Sequence, residues 1–212
     1  MKIGFFDSGK GGTSILDVVK KLLPNEEYMY IGDSENCPYG EKSDEELIKI
    51  VQANVDRLKD WGATIIVIAC NTATTRCIDK LRKIYPDLKF VGTEPAVKLA
   101  IMSGVKKVLV MATPGTIKSE RLLALVRDNE KQDQEVDLMA CPGLADAIEK
   151  DEDIDGVLDE LLKDVKEYDA VVLGCTHYSL IKNKIQRYFP NAKLIDGNEG
   201  VAKRVKIIIN EK

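Results

Sequence analysis

The chain has 212 residues, of which 44% are hydrophobic and 31% charged, and its formal net charge is −4. This balance is typical of a globular protein with one large or two small cores and argues against disorder. The charges are interspersed and form no basic stripe, which argues against nucleic acid as a partner. There is no apolar run of about eighteen residues and no signal-peptide pattern, so we expect no membrane partner and a cytoplasmic location.

The first predicted strand, residues 2–6, leads into a glycine-rich turn and a helix over about 13–23. The segment Gly4–Lys10 nearly completes a phosphate-binding loop, but Gly11 replaces the hydroxyl that would bind magnesium. A nucleotide hydrolase is therefore disfavoured, and the glycines are better explained by close approach of a small anionic ligand. Asp7, at the end of the strand, is either a solvated turn residue or a proton-transfer group.

A strand over 27–31 comes next and is followed by a loop rich in turn residues, 32–40. The loop is either a plain connector or a cover whose Tyr39 reaches over a ligand. A capping box at Ser43 then begins a long helix that ends near Gly62.

Residues 64–69 form an apolar, β-branched run, the pattern of a strand buried on both faces of a parallel sheet. Cys70 follows at the carboxyl end of this strand, where a helix to about Ile84 begins. Ligands of open α/β sheets bind at that end. The free N–H groups of the helix N-terminus also favour a thiolate, so we expect Cys70 to be a functional thiol of lowered pKa.

The second half of the chain repeats this arrangement after a strand over 88–91 and a hinge at 93–95. Residues 170–174 form a second buried strand, which delivers Cys175 to the start of a helix ending near Pro190. The elements between are a helix ending near 104, a strand over 107–111, a helix to about 127, a strand over 135–139, a short helix reaching Glu149, an acidic turn and a helix to about 167. A strand over 192–195 and a helix from 198 are predicted to return to the first domain.

One sequence offset relates the two halves. Cys175 lies 105 residues after Cys70, and the strands that begin at residues 2 and 107 are separated by the same distance. Chance likeness between α/β strands is the alternative explanation. We predict an α/β protein of two similar parallel-sheet domains related by a pseudo-two-fold duplication, with the active site in the cleft between them. The first domain is residues 1–92 plus 192–212, and the second is residues 93–191.

Five cysteines without a disulfide-like spacing indicate a reducing compartment. There is no Cys-x-x-Cys pair and only one histidine, so we expect no metal site. Cysteine is often simply a small buried hydrophobic residue. That interpretation suits Cys77, inside a predicted helix, and Cys141, but not Cys70 or Cys175, which follow strands and precede polar residues.

Two thiols at facing strand ends are compatible with a redox pair, a metal site or an acid–base pair. Redox pairs usually need close spacing or a resolving partner, and metal sites need more ligands. An acid–base pair fits better, because a carbon acid between a thiolate and a thiol loses a proton on one face and gains one on the other. His177, two residues after Cys175, is interpreted as an orienting or proton-transfer partner rather than a structural histidine.

Five motifs carry a family resemblance that extends over nearly the whole chain. They are Phe6-Asp7-Ser8-Gly9 with Gly11-Gly12, Pro38-Tyr39-Gly40, Ala69-Cys70-Asn71-Thr72-Ala73, Gly115-Thr116, and Leu173-Gly174-Cys175-Thr176-His177-Tyr178. Together they resemble the glutamate racemases, a branch of the aspartate/glutamate racemase superfamily. The Asp-Ser-Gly start and the histidine after Cys175-Thr176 are similar to the glutamate branch rather than the aspartate branch.

The resemblance implies an isomerase that needs no cofactor and whose small-molecule partner is glutamate. It also implies that the enzyme supplies D-glutamate for peptidoglycan. It implies that Cys70 takes the α-proton of D-glutamate with help from Asp7, and that Cys175 takes that of L-glutamate with help from His177 and Glu149. The substrate contacts it implies are at Ser8, Pro38, Tyr39, Gly40, Asn71, Thr72, Thr113, Thr116, Thr176 and His177. A homodimer is compatible with the resemblance, although the sequence does not set the oligomeric state.

The sequence also departs from the family pattern. Lys10 stands where the family usually has a small or apolar residue, Ser179 replaces a proline, and Gly197 replaces a serine. The second domain is shorter than usual around residues 149–155, which leaves the role of Glu149 open. Two alternatives therefore stay open: a racemase of aspartate or a related amino acid, and a non-catalytic binding module for small acids.

Overall fold

Two four-stranded parallel sheets form the frame of the protein, whose structure is a computed structural model that describes residues 1–211. The strands of the first sheet are β1 (Lys2–Asp7), β2 (Glu27–Gly32), β3 (Ile65–Ile68) and β4 (Lys89–Gly92), and those of the second are β5 (Lys107–Ala112), β6 (Glu135–Ala140), β7 (Ala170–Leu173) and β8 (Lys193–Ile195). Their orders are β2-β1-β3-β4 and β6-β5-β7-β8. The shared order confirms the predicted fold class, two similar parallel-sheet α/β halves.

Helices connect the strands and cover both faces of each sheet. They are α1 (Thr13–Leu22), α2 (Asp44–Asp60), α3 (Asn71–Ile84), α4 (Val97–Met102), α5 (Pro114–Ile117), α6 (Glu120–Arg127), α7 (Leu144–Lys150), α8 (Ile154–Leu162), α9 (Thr176–Leu180), α10 (Lys182–Gln186) and α11 (Asn198–Asn210). Short 3₁₀ turns lie at Ser34–Asn36 and Tyr39–Glu41. None of these helices has the length and apolar character that a membrane span requires.

Local sequence signals explain several helix starts, because side-chain caps precede α2, α5, α6 and α8. The Ser43 half of the predicted capping box of α2 is present, because the Glu46 N–H donates to Ser43 Oγ at 3.2 Å, whereas the Glu46 carboxylate accepts from Lys42 Nζ at 3.0 Å. Two long predicted helices are each divided in the structure. Ser119 divides α5 from α6, because its hydroxyl accepts from the Leu122 N–H at 3.3 Å and so begins a new helix. Ile181 leaves the helical conformation, with φ −110° and ψ 22°, and divides α9 from α10.

The central strands hold the fold together because they are buried on both faces. In the first sheet, Phe5 and Val67 pack toward α1 and α11, while Ile66 and Ile68 pack toward α2 and α3. Each such apolar side chain contributes about 1.5–3 kcal/mol when fully buried. This packing fixes where the carboxyl ends of β1 and β3 lie.

The prediction that residues 192–195 return to the first domain is wrong. β8 pairs in parallel with β7, with Lys193 opposite Ala170 and Leu194 opposite Val171. The pairing gives the second sheet the fourth strand that β4 supplies in the first sheet. Only α11 crosses back, and its Val201 and Val205 pack in one cluster with residues of α1.

Gly92, the last residue of β4, provides a test of this packing. A Cβ added there would lie 2.5 Å from Thr74 Cγ2 and 2.7 Å from Ile78 Cδ1, both on the packed face of α3. Because the contact is internal to the first half, the two halves cannot relieve it by separating. Gly92→Ala should therefore lower the free energy of unfolding in urea by about 1–3 kcal/mol.

Gly200 is the matched control for Gly92. It is exposed in α11, with no atom within 4 Å of an added Cβ, and Gly200→Ala should raise the free energy of unfolding by about 0.5–1 kcal/mol. A Gly92→Ala protein as stable as the unaltered chain would contradict the packing described for β4 and α3.

Candidate active site

The carboxyl ends of the two sheets meet, and the meeting point gathers the polar residues that follow the central strands. Asp7 ends β1, Cys70 follows β3, Thr113 follows β5, and Cys175 starts the helix after β7. All four are buried. The halves are in direct contact here, because the Thr176 hydroxyl donates to Asp7 Oδ2 at 3.3 Å.

Gly11 allows this close approach. A Cβ on Gly11 would lie 2.6 Å from the backbone nitrogen of His177 and 2.8 Å from the carbonyl carbon of Thr176. The glycine-rich turn after β1 is therefore a surface that lies against the second half of the chain. This agrees with the sequence interpretation that rejected a nucleotide-binding loop there.

The first thiol, Cys70, lies beside Ser8 and Asp7. The thiol donates to Ser8 Oγ at 3.7 Å, and the Gly12 N–H donates to Asp7 Oδ2 at 2.6 Å. Burial raises the pKa of Asp7 to about 6, although nearby His177 and hydrogen bonds from Gly12, Ser8 and Cys70 act in the opposite direction. Asp7 is therefore a carboxyl group that can exchange a proton near neutral pH.

The expected lowering of the Cys70 pKa is wrong. Burial raises the pKa of this thiol, and the negative charge of Asp7 raises it further. The Ala73 N–H, in the first turn of α3, acts in the opposite direction but does not compensate for burial. Loss of water around the sulfur outweighs the helix N-terminus here, so Cys70 holds its proton firmly and is a strong base once it has lost it.

The second thiol, Cys175, lies in a different environment. Its Sγ is 3.7 Å from His177 Nδ1, and His177 Nε2 lies 2.8 Å from Glu149 Oε2. Burial disfavours the imidazolium, but hydrogen bonds with Cys175, Cys37 and Glu149 outweigh it and raise the pKa of His177 above its usual 6.5. The hydrogen bond from His177, with others from Ser34 and the Lys10 N–H, lowers the pKa of Glu149 to about 2.

The first half of the chain holds Glu149 in place. The Lys10 N–H donates to Glu149 Oε2 at 2.8 Å, and the Ser34 hydroxyl donates to Oε1. The Lys10 side chain also contacts Asp151, two residues after Glu149: Lys10 Nζ forms an ion pair with Asp151 Oδ2 at 2.7 Å. Lys10, one of the departures from the family pattern, thus contacts the turn that the sequence indicates is shortened. The structure brings Glu149 to the site despite that shortening.

A cluster of hydroxyls lies on the other side of the site. Thr72 Oγ1 is 2.8 Å from Thr113 Oγ1 and 3.1 Å from Thr116 Oγ1, so α3 of the first half contacts α5 of the second. Asn71 Nδ2 donates to the Thr93 carbonyl at 3.3 Å. Gly40 and Pro38 line a small pocket with Thr113, and a Cβ on Gly40 would lie 2.9 Å from Thr113 Cβ.

The interpretation of Tyr39 as a side chain reaching over a ligand is wrong. Its ring is buried in the core of the first half, and its hydroxyl donates to Asp33 Oδ2 at 2.6 Å and accepts from Asn54 Nδ2 at 3.1 Å. The phenol therefore anchors the loop. The backbone of Tyr39 and Gly40 begins a 3₁₀ turn, whose first N–H groups have no partner within the turn.

Two residues at the site had no sequence signal. Ser34 and Cys37 lie in a turn-rich loop, and nothing in that pattern indicates that they approach a histidine about 140 residues further on. Three side-chain atoms lie within 4.8 Å of one another: Cys37 Sγ, a carboxylate oxygen of Glu149 and a ring nitrogen of His177. Only the folded chain brings these three together.

Comparisons with known proteins agree with this geometry. Residues 12–205 match the family described as Asp/Glu/Hydantoin racemase. The glutamate racemase of Clostridium novyi (strain NT) is 40% identical over 214 residues, covering 97% of this chain and 82% of that protein. The Escherichia coli glutamate racemase, solved with L-glutamate and the activator UDP-MurNAc-ala, has a TM-score of 0.87 and 31% identity, over 100% of this chain and 83% of that one. The Francisella tularensis glutamate racemase, solved with D-glutamate, has a TM-score of 0.83 and 31% identity, and the match covers 99% of this chain and 81% of that one.

The family match over most of the chain, with two thiols between two parallel sheets, defines the class of protein. The chain belongs to the Asp/Glu/Hydantoin racemase family and is an isomerase. Within that family it groups with the glutamate racemases, which confirms the resemblance seen in the sequence.

The buried carboxyl group of Asp7 should lower the free energy of unfolding at neutral pH. Its native pKa of about 6 exceeds the 3.8 of an unperturbed aspartate, so the native state binds more protons than the unfolded chain between these pH values. Stability therefore falls as pH rises from 3.8 to 6, and the full cost, on the order of 2–3 kcal/mol, is present above pH 6. Asp7→Asn should raise the free energy of unfolding by about that amount at pH 8 and have little effect near pH 4.

The exposed Asp17 of α1 is the control for this measurement. Asp17→Asn should change the free energy of unfolding by less than about 0.5 kcal/mol at either pH. Urea unfolding of both variants at the two pH values gives the comparison. An Asp7→Asn protein less stable than the unaltered chain at pH 8 would mean that the carboxylate is a net stabilising group, contrary to this account.

Proposed function

We propose that this protein interconverts L- and D-glutamate by moving the α-proton between two bases, Cys70 and Cys175. The observation that carries the proposal is that the two thiols lie at facing strand ends, each beside its own proton-transfer group. Cys70 has Asp7, whose pKa burial raises to about 6. Cys175 has His177, which is in turn hydrogen-bonded to Glu149 at 2.8 Å.

In the proposed conversion of D-glutamate, the proton of Cys70 first passes to Asp7. The resulting thiolate takes the α-proton from one face of the substrate, and the Cys175 thiol gives a proton to the other face. The product is L-glutamate, with Cys70 as a thiol and Cys175 as a thiolate. His177 as an imidazolium stabilises that thiolate, and Glu149 stabilises the imidazolium.

The reverse conversion starts from the Cys175 thiolate. It takes the α-proton of L-glutamate, and Cys70 protonates the opposite face. Burial supports the step at Cys70, because loss of water around its sulfur raises the pKa of the thiol and makes the thiolate a stronger base than one in solution. This matters for an α-proton, which is far less acidic than an ordinary thiol.

The substrate contacts follow from the chemistry of glutamate, which has two carboxylates and one ammonium group. We assign the carboxylates to the hydroxyls of Ser8, Thr72, Thr113, Thr116 and Thr176, the Asn71 amide, and the backbone N–H groups of Tyr39 and Gly40. Pro38 contributes apolar contact beside these N–H groups, and His177 lies on the Cys175 side. Related glutamate racemases were solved with L-glutamate and with D-glutamate. Curated relatives about two fifths identical to this chain are also glutamate racemases, which favours glutamate over aspartate.

The product suggests the cellular role. We place the enzyme in the supply of D-glutamate for peptidoglycan, in the cytoplasm. The five cysteines are free in the structure, which is consistent with a reducing compartment. A non-catalytic binding module is the weaker alternative, since binding a small acid requires neither thiol nor a buried carboxyl group of raised pKa.

Single replacements of the two thiols test the mechanism. Cys70→Ala and Cys175→Ala should each abolish racemisation in both directions, because each removes either the base or the acid that every turnover needs. With a substrate analogue that carries a β-leaving group, deprotonation alone leads to elimination. Cys175→Ala should then process only the D-analogue, and Cys70→Ala only the L-analogue, as measured by release of the leaving group.

Cys77→Ala is the matched control. Cys77 is buried in α3 and is not one of the proposed substrate contacts, so this variant should keep racemase activity and lose only stability. Circular dichroism should show that all three variants are folded. Full racemisation by either active-site variant, or elimination from the same enantiomer by both, would exclude a two-thiol mechanism.

A further inference from the structure

A cysteine, a carboxylate and a histidine come together at the outer side of the Cys175 relay. The ligand atoms of Cys37, Glu149 and His177 all lie within 4.8 Å of one another. We propose that these three residues form an inhibitory binding site for a thiophilic divalent cation, with Zn²⁺ as the favoured ion. The cation would hold the two halves of the chain together and withdraw His177 from proton transfer.

The donor set determines which ion is favoured. Thiolate, imidazole and carboxylate are the ligands that Zn²⁺ uses in proteins, whereas Mg²⁺ and Ca²⁺ prefer oxygen alone. Bond lengths of about 2.3 Å to sulfur and about 2.0–2.2 Å to nitrogen and oxygen put tetrahedral ligands about 3.3–3.8 Å apart. To reach this spacing, the distance between His177 Nε2 and Glu149 Oε2 would increase from 2.8 Å, and the Cys37 sulfur would have to lie within about 3.8 Å of both, compared with the 4.8 Å that bounds the cluster.

The positions of the three ligands explain why the ion would bridge the cleft. Cys37 follows the first 3₁₀ turn of the first half, whereas Glu149 lies in the last turn of α7 and His177 lies in α9 of the second half. Glu149 is already held from the first half by the Lys10 N–H and the Ser34 hydroxyl. A bound cation would therefore strengthen an existing contact between the halves. An ion that binds only this arrangement stabilises it by mass action.

Access and charge also favour the site. Cys37 is partly exposed, whereas Cys70, Cys77, Cys141 and Cys175 are buried, so it is the thiol that a cation from solution meets first. Glu149 supplies the carboxylate, and the Lys10 N–H and the Ser34 hydroxyl already orient it. The fourth position of a tetrahedral ion would be left to water.

Inhibition by the ion rests on the proposed function, whereas binding does not. Coordination at His177 Nε2 displaces the proton that this nitrogen shares with Glu149, and coordination by Cys37 releases the thiol proton; both protons pass to solvent. His177 can then no longer act as an imidazolium beside Cys175. The active-site thiols themselves are the rival ligands, because Cys70 and Cys175 could hold Zn²⁺ between them. The experiment must separate these two sites.

Cobalt(II) provides a direct readout of the ligands. Titration of the whole protein with Co²⁺ should give one equivalent bound per chain and a thiolate-to-metal charge-transfer absorption in the near ultraviolet. Cys37→Ser and Cys37→Ala should both lose this absorption. Cys77→Ser, which changes a buried cysteine outside the cluster, should keep it.

Racemase assays complete the test. Zn²⁺ should inhibit the unaltered enzyme, and Mg²⁺ at the same concentration should not. Relative to its own activity without metal, Cys37→Ser should need at least tenfold more Zn²⁺ for half-inhibition than the unaltered enzyme does. The proposal is overturned if Co²⁺ absorption and Zn²⁺ inhibition are unchanged in both Cys37 variants, because the active-site thiols are then the ligands. If the absorption depends on Cys37 but the protein racemises nothing, the metal site stands and the proposed function fails.

Discussion

Burial of ionisable groups between the two sheets is the constraint on which the site depends. Asp7, Cys70, Cys175 and His177 are each less than 10% exposed. Burial of a charge is costly unless hydrogen bonds or an opposite charge compensate for it. The structure supplies that compensation from both halves: the Gly12 N–H and the Thr176 hydroxyl contact Asp7, and Glu149 contacts His177. The same burial that lowers stability makes the Cys70 thiolate a stronger base.

The two halves have the same topology but not the same chemistry. The offset of 105 residues that relates the thiols pairs Thr72 with His177, and it pairs Asp7 with Ala112. The partner of Cys70 thus comes from the end of β1, whereas the partner of Cys175 lies in its own helix, α9. A site built by duplication therefore presents two similar thiols whose protons are handled by a carboxyl group on one side and an imidazole on the other. In the proposed mechanism the two directions of reaction consequently depend on different residues.

The sequence predicts the elements that depend on local pattern, and it fails where distant parts of the chain meet. The apolar runs before Cys70 and Cys175 predict both central strands, and the shared offset predicts the two-fold likeness of the sheets. The pairing of β8 with β7 has no such signal, because a short apolar strand can complete either sheet and only the packed chain decides between them.

The candidate site shows the same limit. The positions of Cys70, Cys175 and His177 follow from motifs, but the raised pKa of Cys70 does not, because it depends on how completely the halves exclude water. The sequence leaves open whether the Tyr39 side chain reaches over a ligand, because its partner Asn54 lies in α2, outside the loop motif. Cys37 could not be assigned at all, since its neighbours Glu149 and His177 belong to the other half.

The source of the new α-proton tests the central claim most directly. Thiol protons exchange with solvent, so L-glutamate incubated with the enzyme in deuterium oxide should give D-glutamate with deuterium at the α-carbon from the first turnovers. The L-glutamate recovered at that stage should still carry protium, because Cys175 takes the proton and Cys70 delivers the deuteron. Mass spectrometry of the separated enantiomers measures both. Protium retained in the early product, or deuterium entering the recovered substrate as fast as product forms, would contradict two bases on opposite faces.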